Sequence, residues 1–147
     1  MSTSPEPVTG ALLAIDPGRG KCGLAVLTTE GRVLYQAVVP AAEIGSVAAA
    51  ALAQYGVTLL LLGDRTAGRE VRDRLTAAGV TLPPIPVDEH HSSEEGRRRY
   101  LLAHPAKGWR RLLPLGLQTP PVPYDDYVAI ILAERYLRAQ DATPSSG

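Results

Sequence analysis

The sequence predicts one α/β domain: three antiparallel strands, then alternating helices and parallel strands, making a five-stranded mixed sheet flanked by helices. Three observations carry this. Short apolar runs separated by Gly-, Pro- and Thr-containing turns fill the first forty residues. Beyond Pro40, branched apolar runs alternate with helix-period segments that end at glycines. The 147 residues, 45% of them apolar, suffice for a single domain whose core closes without disulfides.

Taken in order, residues 1–10 and 140–147 are rich in Ser, Thr, Pro and Gly and are expected to be disordered tails around a domain at 11–139. Residues 11–15 form a continuous apolar run, the pattern of a buried strand. Residues 22–28 and 32–39 give two more strands, joined through a hairpin turn at Thr29-Glu30-Gly31. Pro40 stops the sheet, and the alanine-rich stretch 41–55 is a helix closed by Gly56. Residues 57–62 are a leucine-rich strand ending at Gly63, and 66–78 carry Val71, Leu75 and Ala78 at helical spacing before Gly79. A short strand at 85–87 follows Pro83-Pro84. The helix at 92–103 is expected to use Ser92 or Ser93 as its cap, with Glu94 and Glu95 in the first turn. Residues 104–123 hold five prolines and read as a long connection. A final helix at 124–139 presents Val128, Ile131, Leu132 and Tyr136 as one apolar face. Parallel strands joined through helices require right-handed crossovers.

Fifteen basic and fifteen acidic side chains give a formal net charge of zero, so no global field draws the chain to nucleic acid or to acidic membranes. The N-terminal residues show no basic segment leading into an apolar one, and the aliphatic run 59–62 is too short to cross a bilayer. One cysteine, Cys22, cannot form an internal disulfide and fits a reducing compartment. A soluble cytoplasmic protein with no membrane partner is expected. The local balance differs: between residues 97 and 111 stand Arg97, Arg98, Arg99, Lys107, Arg110 and Arg111 with no acid among them. Phosphate neutralisation is the functional reading of that window, with Trp109 as its aromatic, and a solvated surface is the other.

Gly18, Gly20 and Gly23 follow the first strand at GxGxxG spacing, but a dinucleotide site needs a helix directly after them, and this stretch reads as a hairpin. The glycines instead allow a tight turn and the approach of a polyanion to Asp16, with Lys21 nearby. Glu89 lies past the carboxyl end of the last strand, and Asp125 and Asp126 open the final helix. Each acid alone suits a cap or a turn. Brought together at the sheet's carboxyl edge, they form a set of hard oxygen ligands suited to Mg²⁺ or Mn²⁺. His90, His91 and His104 have no zinc-type spacing, and Cys22 sits in an apolar strand where packing is the expected role.

The segments IDPGRGKCGLAV, VDEHHSS and DDYVAIILAERYL resemble the YqgF/RuvX family, Holliday-junction-resolvase-like and rRNA-processing nucleases of the RNase H-like superfamily that also holds the RuvC resolvases. The resemblance spans residues 11–138. It implies an RNase H-like fold, with Asp16, Glu89 and Asp125 as catalytic metal ligands and Asp126 sharing or taking over the last position. It also implies hydrolysis of RNA or branched DNA with two Mg²⁺ or Mn²⁺ ions about 3.5–4 Å apart. Asp16 is expected to bridge both ions and Lys21 to neutralise phosphate oxygens. His90, His91, Ser92 and Ser93 depart from the family pattern after the glutamate, which bears on the substrate. Nucleic acid is the expected partner, and the chain is expected to be a monomer or a homodimer. Two other classes remain open: a nucleotide-binding module of the actin and sugar-kinase type, which normally needs two such domains, and a non-catalytic nucleic-acid-binding module.

Overall fold

In a computed structural model, described over residues 10–105, 112, 114 and 123–142, the apolar runs become strands with the alternation their spacing requires. Strands β1 (Ala11–Asp16), β2 (Lys21–Thr28) and β3 (Val33–Pro40) form an antiparallel meander. A 3₁₀ turn, Ala41–Glu43, leads into helix α1 (Ile44–Tyr55), which Gly56 ends in the left-handed conformation. Then come β4 (Val57–Gly63), α2 (Gly68–Ala77), β5 (Pro84–Val87), α3 (Ser92–Ala103) and α4 (Asp125–Ala142). The sheet order is β3-β2-β1-β4-β5, with β4 parallel to β1 and β5 parallel to β4. This is the mixed five-stranded α/β architecture predicted above.

Period-two alternation divides the core between the two faces of the sheet. Leu13, Ile15, Leu24, Val26, Leu60 and Leu62 pack with Ile44, Ala48 and Ala51 of α1 and with Val71 and Leu75 of α2. Leu12, Ala14, Ala25, Leu27 and Leu61 face the opposite way, onto Ala129, Ile130, Leu132 and Ala133 of α4. Full burial of a leucine contributes about 1.5–3 kcal/mol, so these two layers supply most of the drive to fold. Cys22 is wholly buried in the first layer, a packing residue. Among the described residues no helix is long and apolar enough to cross a membrane.

Three local expectations need correction. The residue capping α3 is His91, at a φ of 61° and with no side-chain cap bond, while Ser92 is fully buried with its hydroxyl unpartnered. The chain turns so sharply there that Ser92 goes into the core instead of over the helix end. Helix α2 starts at Gly68 and not at Thr66, since residues 65–68 form a turn closed by the Gly68 amide on the Arg65 carbonyl. Helix α4 runs past Ala139 to Ala142, since no glycine or proline intervenes to stop it. Its burial is also wider than one stripe: Val128 to Ala133 are all buried, because α4 lies between the sheet and α3.

The pairing register determines what reaches the sheet's carboxyl edge. Ile15 pairs with Leu62 and Gly63 with Val87, so β1, β4 and β5 end side by side and deliver Asp16, Asp64 and Glu89 to one edge. Asp16 also pairs with Gly23 on β2.

Candidate active site

Asp16 closes β1 and is only 3% exposed; Glu89, just past β5, is 6% exposed. Asp125, at the start of α4, is half-buried. One oxygen of each carboxylate, Asp16 Oδ1, Glu89 Oε1 and Asp125 Oδ2, is buried without a hydrogen-bond partner. Buried polar atoms are seldom left this way, because an unsatisfied acceptor costs about 1–3 kcal/mol.

Two glycines make the convergence possible. A Cβ on Gly23 would overlap the Asp125 carbonyl and come within 2.7 Å of the Asp126 nitrogen. The first turn of α4 therefore rests directly on β2, beside the residue that pairs with Asp16. A Cβ on Gly63 would occupy the space of the Glu89 carboxylate.

The turn after β4 then wraps Glu89. The Glu89 amide donates to Asp64 Oδ1 at 3.2 Å, and the Asp64 amide donates to the Val87 carbonyl at 3.1 Å. The Arg65 amide donates to Glu89 Oε2 at 3.0 Å, and Arg65 Nε lies 3.1 Å from Glu89 Oε1 as an ion pair without hydrogen-bond alignment. The Arg65 guanidinium also donates to the Ser93 hydroxyl.

Burial pushes the Asp16 carboxyl up to about 9, helped by the neighbouring Glu89 carboxyl; Arg65 opposes the shift and Asp125 adds to it. Asp125 is also raised, mainly by burial, with Lys21 and Arg65 opposing and Asp126 adding. Negative charge is therefore crowded at this edge and short of compensation. Hard, buried, unsatisfied carboxylate oxygens on three elements fit a divalent cation such as Mg²⁺ or Mn²⁺. Among the described residues no three His, Cys, Asp or Glu side chains stand as a ready-made metal cluster. The Arg65 guanidinium takes up part of the charge instead.

Thermus thermophilus RuvC in complex with Holliday junction substrate matches with a TM-score of 0.59 at 15% identity, covering 91% of this chain and 97% of that one. A second Thermus thermophilus RuvC structure matches with a TM-score of 0.53 at 21% identity, covering 90% and 97%. The chain folds like RuvC. The RuvC likeness runs almost end to end and establishes the RNase H-like fold. No family model and no curated protein sequence matches this chain.

On this RuvC-like frame the other singled-out residues have distinct surroundings. Asp126 is adjacent to Asp125 but engaged: its Oδ2 accepts from Gln36 Nε2 at 2.9 Å and its Oδ1 from the Tyr127 amide at 3.0 Å. Lys21 is exposed at the start of β2, close enough for its charge to act on Asp125. Arg97 is half-buried and Arg98 exposed on α3. Arg99 forms a two-pronged pair with Glu134 of α4, at 2.9 and 2.7 Å. Lys107, Trp109, Arg110 and Arg111 lie outside the described residues. His90 and His91 are exposed, with ring centroids 3.8 Å apart, and His91 Nδ1 lies 3.4 Å from Glu94 Oε1. His104 stacks on Tyr100, at the opposite end of α3 from Glu89.

Gln36 and Gly63 escape the sequence reading as site residues, and Arg65 reads as a surface charge lying beside the active edge. Arg65 carries a trace in its position just after a strand; Gln36 carries none, because its partner is ninety positions away.

Proposed function

We propose that this chain is a divalent-metal-dependent nuclease hydrolysing phosphodiester bonds of nucleic acid. The observation that carries the reading is the trio of buried, unpartnered carboxylate oxygens on Asp16, Glu89 and Asp125, at the carboxyl edge of the sheet. Asp16, Glu89 and Asp125 hold the metal; Asp126, already bonded to Gln36, supports the turn that carries Asp125. Held by these carboxylates, Mg²⁺ or Mn²⁺ would supply an activated water and charge neutralisation at the scissile phosphate.

The remaining chemistry belongs to the chain. The Asp64 side chain, accepting from the Glu89 amide, and the Arg65 amide, donating to Glu89 Oε2, hold Glu89 in one orientation, and the packing of α4 on Gly23 fixes Asp125. Lys21, Arg97 and Arg98, together with Lys107, Arg110 and Arg111, meet the phosphate backbone; Arg99, tied to Glu134, contributes least.

Branched DNA is the first substrate to test, because the RuvC fold recurs here and one matching structure was solved with a Holliday junction substrate. RNA, with rRNA processing as its setting, is the second, on the strength of the sequence motifs. A four-way junction presents two equivalent strands, so junction cleavage goes with a homodimer and RNA trimming with a monomer. The single buried thiol goes with a reducing cytoplasm.

The deciding experiment is a cleavage panel of single-stranded RNA, duplex DNA and a four-way junction, with Mg²⁺ and with Mn²⁺, for wild type, Asp16→Asn, Asp125→Asn and Asp126→Asn. Metal-dependent cleavage lost in the first two variants and reduced in the third supports the assignment. A folded Asp16→Asn protein that cleaves at the wild-type rate refutes it.

A further inference from the structure

Arg65 differs in its partners from three other paired arginines. Arg74, Arg99 and Arg135 hold carbonyls or acids that knit helices to their neighbours. Arg65 instead directs its guanidinium into the acidic edge. Its Nε lies 3.1 Å from Glu89 Oε1, the same oxygen that has no hydrogen-bond donor and that a metal would need. Its charge also acts on both Asp16 and Asp125, so one cation faces all three acids. Lys21 is the other cation nearby, and its charge is registered at Asp125.

The two halves of Arg65 are separable. The backbone amide holds Glu89 Oε2 at 3.0 Å and would do so with any non-proline side chain. The guanidinium reaches Glu89 Oε1 and the Ser93 hydroxyl, and its side chain is 45% exposed. It can therefore leave without disturbing the backbone that orients the acid. It also has somewhere to go. Arg65 itself lines a cleft of about 490 Å³, together with Asp64, Thr66, Arg69, Arg72 and Asp73, into which its guanidinium can swing.

We infer that Arg65 is a built-in counter-cation: it occupies Glu89 in the metal-free protein, competes with the incoming divalent cation for that carboxylate, and is released into the adjacent cleft as the cation binds. The inference rests on the metal-binding reading of the three acids. Arg65 acts here through Glu89 and is a positioning residue. Ser93, which belongs to the segment that departs from the family pattern, steadies the guanidinium in its metal-free position.

The test is calorimetric titration of Mn²⁺ into wild type, Arg65→Gln, Arg65→Lys and Ser93→Ala, without nucleic acid, each variant first shown folded by circular dichroism. A half-exposed pair of this kind is worth roughly one power of five in affinity. Arg65→Gln should therefore bind Mn²⁺ about fivefold more tightly, Arg65→Lys should return toward wild type because it keeps a competing charge, and Ser93→Ala should tighten binding by a smaller factor. A purely structural role for Arg65 predicts weaker binding in Arg65→Gln and no rescue by lysine. Equal or weaker Mn²⁺ binding in folded Arg65→Gln, with wild type binding normally, overturns the counter-cation role and leaves the metal reading intact. Should Arg65→Gln fail to fold, Ser93→Ala decides alone, with an unchanged affinity counting against the inference. Absence of Mn²⁺ binding in wild type and all variants overturns the metal reading and this inference together.

Discussion

Replacing Gly23 by alanine isolates the contact on which the acidic trio depends. The added Cβ would stand 2.7 Å from the Asp126 nitrogen, against 3.4 Å for ordinary contact, so the first turn of α4 must retreat by at least about 0.7 Å, and further to clear the Asp125 carbonyl. Both obstacles are backbone, in a helix wedged between the sheet and α3, so no side chain can rotate away to relieve them. Overpacking of this kind costs about 1–3 kcal/mol. For a domain of this size that lowers Tm by roughly 4–12 °C. The same retreat moves Asp125 away from Asp16, and a misplacement near 1 Å can reduce a rate by about 100-fold. The assay is thermal denaturation alongside metal-dependent cleavage and Mn²⁺ titration. Gly20→Ala is the control: it lies in the same glycine-rich loop, but a Cβ there meets nothing within 4 Å, so stability and activity should match wild type. A Gly23→Ala protein with unchanged Tm and unchanged metal affinity would show that α4 does not need this close approach, and the assembly of the site as argued here would fail with it.

Four further outcomes are expected. Gly63→Ala should cost about 1–3 kcal/mol, because its Cβ meets the buried Glu89 side chain from Cγ to Oε2 while the Arg65 amide holds that carboxylate, and should weaken Mn²⁺ binding at least tenfold by calorimetry. Asp16 titrates near 3.8 when unfolded and about 9 when folded, so between these values the folded protein keeps a proton that the unfolded chain has lost. Stability contributed by this group is thus fully present below about pH 4 and declines as pH rises toward 9, by at most about 1.4 kcal/mol per unit; urea denaturation in EDTA should show a shallower decline for Asp16→Asn, and coincident pH curves would refute the shift. Mn²⁺ at one hundred times its Kd should stabilise wild type by about 2.7 kcal/mol, a gain that chelation reverses and Asp16→Asn abolishes. A double-mutant cycle on Arg99 and Glu134, whose side chains are 42% and 27% exposed, should return no more than about 1 kcal/mol and shrink in high salt.

The sheet was legible because each of its strands announces itself locally, by an apolar run and a turn residue. The same local signals placed Asp16, Glu89 and Asp125 at element ends, and the parallel pairing of β1, β4 and β5 carries strand ends to one edge. What escaped depends on partners distant in sequence. Gln36 and Asp126 are ninety positions apart, and Arg65 and Glu89 twenty-four. Gly23 was visible, but as part of a turn motif; its actual demand comes from α4, a hundred residues later. Arg99 reads as one of three consecutive cations, and only the packing of α3 on α4 reveals Glu134 opposite it. Ser92 reads as a cap and is buried, because the preceding residue adopts a left-handed backbone that its composition does not advertise.

The contacts that determine site geometry are accordingly not concentrated at the acids. Arg135 of α4 donates to the Asp88 carbonyl, one residue before Glu89, and pairs with Glu95 of α3. Arg99 joins α3 to α4 a turn further along. Helix α4, which begins with Asp125, is thus tied to the loop that carries Glu89 by bonds from its opposite half, while its first turn rests on β2 beside Asp16. The two acids are held from two points of one helix, its first turn and Arg135 near its middle. Buried carboxylates repel, and left to themselves they would move apart; a helix anchored at these points on a two-layer core resists that, and the burial it imposes raises the Asp16 pKa. The zero net charge of the chain hides this arrangement, since arginines that balance acids elsewhere in the fold leave those three without enough cation of their own.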